Sequence, residues 1–157
     1  MTHILFVCHG NICRSPMAEF IMKALIRKAG CEKEITVDSV AATTEEIGND
    51  MYPPAKRMLA KKGIPFFPRR ARLITASDYA CADYILCMDE ENLTDLARLT
   101  RGDPEKKVSL LLSWAGRRAE VADPWYTGNF EETYKDILEG CEALLKSIRR
   151  QGVAGSW

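Results

Sequence analysis

The chain has 157 residues, 46% of them hydrophobic, enough for one good core and too short for two ordinary domains, so a single domain spanning 1–157 is expected. Its 22 basic and 22 acidic residues cancel, which leaves no global field for nucleic acid or an anionic membrane, and an anionic substrate has to be held by local groups. No apolar stretch approaches the ~20 residues of a membrane span, and the longest one near the N terminus, 4–8, is far too short for a signal-peptide core; a cytoplasmic protein is expected.

In chain order, His3-Ile4-Leu5-Phe6-Val7-Cys8 is short, apolar and partly β-branched, which suits a strand buried on both faces. It stops at Gly10 and Asn11, residues suited to positive φ. Ser15-Pro16 reads as a helix N-cap followed by proline at N1, and Met17, Phe20, Ile21, Ala24 and Leu25 keep helical spacing until Gly30. Residues 35–40 read as a second strand, 53–62 as a helix closed by Gly63, 84–88 as a third buried strand, 90–99 as a helix and 107–112 as a fourth strand. The last helix starts at Asn129, with Glu132 completing a capping box, and aligns Phe130, Tyr134, Ile137, Cys141, Leu144 and Ile148 on one face. Residues 152–157 read as a frayed, flexible tail. Strands alternating with helices imply an α/β fold with a parallel sheet covered on both faces.

Six cysteines, Cys8, Cys13, Cys31, Cys81, Cys87 and Cys141, are scattered through the chain and read as reduced thiols. There is no C-x2-C pair, and the two histidines, His3 and His9, lie together at the N terminus, so neither a zinc site nor any other metal or cofactor is expected.

Ligands of an open α/β sheet bind beyond the carboxyl ends of its strands. The loop from Cys8 to Ser15 lies at such an end, where backbone N–H groups and the helix dipole favour a phosphate. Arg14 can offer a planar fork to two phosphate oxygens, and the groups that hold a dianion would also stabilise a thiolate at Cys8. Ser15 can donate to that sulfur and improve it as a leaving group. Taken singly, a cysteine ending a buried strand is ordinarily a core residue and a helix-start arginine is ordinarily solvated. Their coincidence with Gly10 and Asn11 in this loop is what points to chemistry.

The run Val7-Cys8-His9-Gly10-Asn11-Ile12-Cys13-Arg14-Ser15-Pro16-Met17-Ala18-Glu19 closely resembles the signature of the low-molecular-weight protein tyrosine phosphatases. The resemblance extends through Asp38-Ser39, Ala71-Arg72-Leu73-Ile74, Met88-Asp89 with Asn92, and Val121-Ala122-Asp123-Pro124-Trp125-Tyr126. It implies a flavodoxin-like, three-layer fold with a four-stranded parallel sheet, and metal-free hydrolysis of phosphotyrosine-type aryl esters through a phosphocysteine. In that scheme Cys8 is the nucleophile, Asp123 the general acid and base, and Arg14 the phosphate clamp. The loop residues His9, Gly10, Asn11, Ile12, Cys13 and Ser15 bind substrate with it. Trp125 and Tyr126 are candidate walls, and Glu45 stands near the position of an aromatic wall residue in many relatives.

Ser39 corresponds to a serine that bonds the loop asparagine, and Asp89 to a residue behind the site. Arg69 stands where many relatives have a histidine that pairs with the residue matching Asp89. His9 stands where leucine is common and can bring a titrating group to the pocket rim. The expected partner is a tyrosine-phosphorylated protein or a small aryl phosphate, with no nucleic acid or membrane, and the expected state is a monomer. Two other readings stand beside this one. A thioredoxin-coupled arsenate reductase of the same fold would want redox cysteines at and after the third strand, yet no cysteine occurs between Met88 and Gly140. A non-catalytic phosphate-binding module would not need Cys8, Arg14, Ser15 and Asp123 intact. Protein arginine phosphatases also resemble the chain but carry threonine where this sequence has Ile12.

Overall fold

A computed structural model describes the backbone of residues 1–155 and side chains as far as Gln151. The strands are β1 (Thr2–Cys8), β2 (Ile35–Ala41), β3 (Tyr84–Cys87) and β4 (Val108–Leu110). The helices are α1 (Arg14–Ala29), α2 (Pro53–Lys61), α3 (Ala76–Cys81), α4 (Glu90–Leu99), α5 (Pro124–Thr127) and α6 (Phe130–Gly155), with a short 3-10 turn at Leu111–Ala115. All four strands are parallel, in the order β2-β1-β3-β4.

The strand period of two divides β1 between two cores. Ile4 and Phe6 pack with residues of α1, α2 and α6 on one face, and Leu5 and Val7 pack with Val40, Ile85 and Leu96 on the other. All four β1 side chains are fully buried, each worth about 1.5–3 kcal/mol of transfer free energy. This is the three-layer arrangement implied by the alternation of elements, and the order 2-1-3-4 is the flavodoxin-like one. The chain runs from β1 outward to β2, then returns to place β3 on the other side of β1, so the strand order reverses at the C-terminal ends of β1 and β3.

Several expectations need correction. Helix α1 starts at Arg14 with Cys13 at the N-cap and no side-chain cap; Ser15 lies inside the first turn because its hydroxyl is engaged with Cys8 and Asn11. The fourth strand ends at Leu110, and Leu111 and Leu112 bury themselves from a 3-10 turn instead. The short helices α3 and α5 were not expected. The last helix runs to Gly155, into the segment read as a tail, and the remainder of that segment lies outside the described residues. Of the capping box at its start only half forms: Glu132 N–H donates to Asn129 Oδ1 at 3.0 Å, but Glu132 Oε2 accepts from the Asn129 side-chain amide at 3.2 Å, because the Asn129 N–H donates to Thr127 Oγ1 at 3.0 Å.

Candidate active site

Cys8 ends β1, and the chain turns through 9–13 into α1. Asn11 adopts φ 59°, a left-handed conformation that asparagine tolerates better than most residues. Its N–H and that of Ser15 then lie 3.3 and 3.4 Å from Cys8 Sγ. Gly10 does not take the positive φ expected of it. What it supplies is the missing Cβ, which would come 3.1 Å from Glu46 Cγ.

The Asn11 side chain fixes the direction of the hydrogen bonds behind the sulfur. Its Oδ1 accepts from Arg69 Nη2 and, at 3.3 Å, from the Arg72 N–H. With two donors on that side the amide cannot be reversed, so Nδ2 donates to Ser15 Oγ at 2.8 Å and Ser39 Oγ at 3.0 Å. Ser39 passes its own hydrogen to Glu19 Oε1 at 2.7 Å, and Glu19 is paired with Lys23 at 2.5 Å. Ser15 keeps its own hydrogen, with Cys8 Sγ the nearer acceptor at 3.0 Å and the Val40 carbonyl at 3.4 Å the farther one. Arg69 thus supports Asn11 and makes no hydrogen bond to Asp89, which is bonded to Arg14.

Cys8 therefore receives three hydrogen bonds suited to a thiolate, whereas Cys13 has none among the described residues. Burial pushes the Cys13 thiol well up, and the nearby charges of Cys8 and Asp123 push it further.

Arg14 opens α1 and is buried. Its Nη1 donates to Asp89 Oδ2 at 2.6 Å and to the Val121 carbonyl at 3.0 Å, while Nη2 lies 3.5 Å from Asp123 Oδ2. Burial by itself would lower its pKa, but the charge of Cys8 and the bond to Asp89 outweigh that and hold the guanidinium above its ordinary value. Asp89 is held in turn as the N-cap of α4, its other oxygen accepting the Asn92 N–H at 2.8 Å. Asp123 caps α5 in the same way: Oδ1 accepts the Trp125 N–H at 3.0 Å, Pro124 occupies N1, and Oδ2 is left facing Arg14.

A cleft opens above Cys8. Of the residues assigned from sequence, Asn11, Ser15, Ser39 and Asp89 lie behind it, and all the others line it. Trp125 is half exposed and rests on Tyr52, with ring centroids 4.7 Å apart, whereas Tyr126 is 85% exposed. His9 Nε2 is 2.7 Å from Glu45 Oε2 and Nδ1 is 3.8 Å from Glu91 Oε1. Reading the sequence missed Glu46 in the cleft wall, the support that Arg69 and Glu19 give behind the loop, and Tyr52 under Trp125. Glu19 carried a signal as part of the loop motif, and Arg69 only as a departure from the histidine common at its position.

The sequence profile of low molecular weight phosphotyrosine protein phosphatases matches residues 3–154. The low molecular weight protein-tyrosine-phosphatase YfkJ of Bacillus subtilis is 40% identical over 153 residues, 96% of this chain and 98% of that protein; its crystal structure matches with a TM-score of 0.92 over 96% of each chain. The low molecular weight phosphotyrosine protein phosphatase of Rattus norvegicus is 38% identical over 148 residues, covering 91% and 93% of the two chains. A drosophila arginine phosphatase structure matches with a TM-score of 0.86 and 34% identity, covering 94% and 98%. With the family profile matched over nearly the whole chain and relatives 38–40% identical over more than nine-tenths of both proteins, the chain belongs to the low-molecular-weight phosphotyrosine protein phosphatase family.

Proposed function

We propose that the protein hydrolyses phosphotyrosine-type aryl phosphate monoesters with Cys8 as nucleophile, Arg14 as phosphate clamp and Asp123 as general acid and base. The observation that carries this reading is the set of three hydrogen bonds on Cys8 Sγ beside the buried Arg14. The thiolate attacks phosphorus, the P–O bond to the aryl group breaks, and the Asp123 carboxyl protonates the departing oxygen. Water then attacks the phosphocysteine while Asp123 takes its proton. The P–S bond breaks, inorganic phosphate leaves, and Cys8 returns as a thiolate, a departure eased by the Ser15 hydroxyl. Arg14 suits the clamp because Asp89 and the Val121 carbonyl fix its plane through Nη1, leaving the other edge for phosphoryl oxygens. Ile12 offers the cleft an apolar wall for an aryl ring.

A tyrosine-phosphorylated protein as substrate, a monomeric state and a cytosolic setting belong to the same proposal. The setting agrees with six free cysteines, and no helix among the described residues is long and apolar enough to cross a membrane.

The test separates the two roles. Cys8→Ser abolishes turnover yet still binds vanadate or phosphate, since the cradle and Arg14 remain. Asp123→Asn slows phosphotyrosine or phenyl phosphate by about 10²–10⁴ and slows 4-nitrophenyl phosphate much less, because the nitrophenolate leaves with little protonation. Turnover in the serine variant would overturn the nucleophile, and equal slowing of both esters would overturn the acid.

A further inference from the structure

The rim of the cleft carries more negative charge than its neighbours can neutralise. Glu45 and Glu46 both line it, on the segment following β2. Glu45 is 66% exposed and its partner is His9 Nε2; the other ring nitrogen, Nδ1, lies 3.8 Å from Glu91, which is 71% exposed and projects from the first turn of α4. One imidazole brings at most one positive charge to two carboxylates, so this cluster is negative by at least one charge whichever form His9 takes. Glu46 is bonded by the neutral Asn49 amide at 2.6 Å. Asp95, one turn along α4 from Glu91, is paired with Arg98 at 3.6 Å. Among the described residues no lysine or arginine pairs with Glu45, Glu46 or Glu91.

The position of this charge matters. The floor of the cleft is the cationic Arg14 with its N–H groups, one part of the wall is aromatic through Trp125 and Tyr126, and the segment carrying Glu45 and Glu46 is acidic. A phosphate on the floor and a ring against Trp125 leave the chain on either side of that ring to meet the carboxylates. We infer that Glu45, Glu46 and Glu91 select phosphotyrosine peptides with lysine or arginine flanking the phosphotyrosine and repel those with acidic flanks. This deepens the phosphotyrosine reading and rests on it. Because the flanks take no part in bond breaking, the preference is binding common to ground and transition states and falls on KM, with kcat little changed. Because the carboxylates are exposed, salt screens it over a Debye length of ~10 Å at 0.1 M ionic strength.

The experiment compares two short phosphotyrosine peptides, one with arginine and one with glutamate on both sides, against free phosphotyrosine. At ~20 mM salt the wild-type protein should show kcat/KM about 5–20-fold higher for the arginine peptide, carried by KM, shrinking to about twofold at 0.5 M salt. Read as the ratio between the two peptides within each protein, the preference should fall stepwise in Glu46→Gln and in Glu45→Gln/Glu91→Gln and vanish in the triple variant. Equal kcat/KM for the two peptides in wild type, or a ratio unchanged in the triple variant, overturns the inference while leaving the phosphatase reading intact. Failure to hydrolyse free phosphotyrosine and both peptides overturns that reading and takes the inference with it.

Discussion

Arg14 has its Nη1 fully committed, 2.6 Å from Asp89 and 3.0 Å from the Val121 carbonyl. A lysine there has one ammonium for Asp89, Val121 and the phosphate together, and no plane to align. Arg14→Lys is expected to lower kcat on an aryl phosphate by ~10²–10³, the usual cost of one lost transition-state donor, with an unchanged circular dichroism spectrum; a loss below tenfold would mean the fork is dispensable. The cradle itself was legible because Cys8, Asn11, Arg14 and Ser15 are neighbours in one short loop whose spacing and residue types are fixed by what a phosphate needs. The contact of Arg69 with the loop and the place of Glu46 were not. Their places depend on two loops being tied together, Gly48 N–H to the Ala71 carbonyl at 2.8 Å and Ala71 N–H to the Asn49 carbonyl at 2.7 Å, and nothing in composition or periodicity announces such a crossing.

Among the elements, those with a long period were readable and those without one were not. Helix α6 presents Ile137, Cys141 and Leu144 as a fully buried stripe, and β1 is apolar from Ile4 to Cys8, whereas the six residues of α3 and four of α5 are too short to hold a repeat. Strand β4 and the following turn share one apolar run, and the change from extended chain to 3-10 turn is dictated by what Leu111 packs against.

That contact is tight. A Cβ on Gly140 of α6 would lie 2.5 Å from Leu111 Cγ, and Leu111 is completely buried. Alanine improves helix propensity by ~1 kcal/mol, but forcing Leu111 aside in a packed core costs ~1–3 kcal/mol, and with the clash at a branch atom the overpacking wins. Gly140→Ala should lower the thermal midpoint by about 2–5 °C, read by calorimetry; a raised midpoint would show that the turn yields freely.

For the whole molecule, three buried thiols set the alkaline limit. Burial pushes the Cys13, Cys87 and Cys141 thiols up, with neighbouring charge from Cys8 at Cys13 and from Asp89 at Cys87. Their folded values lie above the unfolded one of ~8.5, so the unfolded chain releases protons that the native state keeps. Stability is fully present below pH ~8.5 and is lost as pH rises from there toward the folded values, by up to ~1.4 kcal/mol per pH unit for each thiol. Urea midpoints measured under reductant should therefore fall between pH 8 and 10, and Cys141→Ala should make that fall shallower relative to its own value at pH 7. A midpoint flat across this range would mean the thiols are not kept protonated by the fold.

The contact between Arg14 and Asp123 joins residues 109 positions apart, and that between Arg14 and Asp89 joins residues 75 apart. During synthesis the nucleophile emerges with β1, while the aspartate opposite it follows only after β3, α4 and β4 have been made. A nascent chain that stops short of Asp89 carries Cys8 without the groups that fix Arg14 or protonate a leaving group. The cysteine is therefore made before its reactive setting, and turnover begins only when the segment carrying Asp123 has closed over β1 and the start of α1.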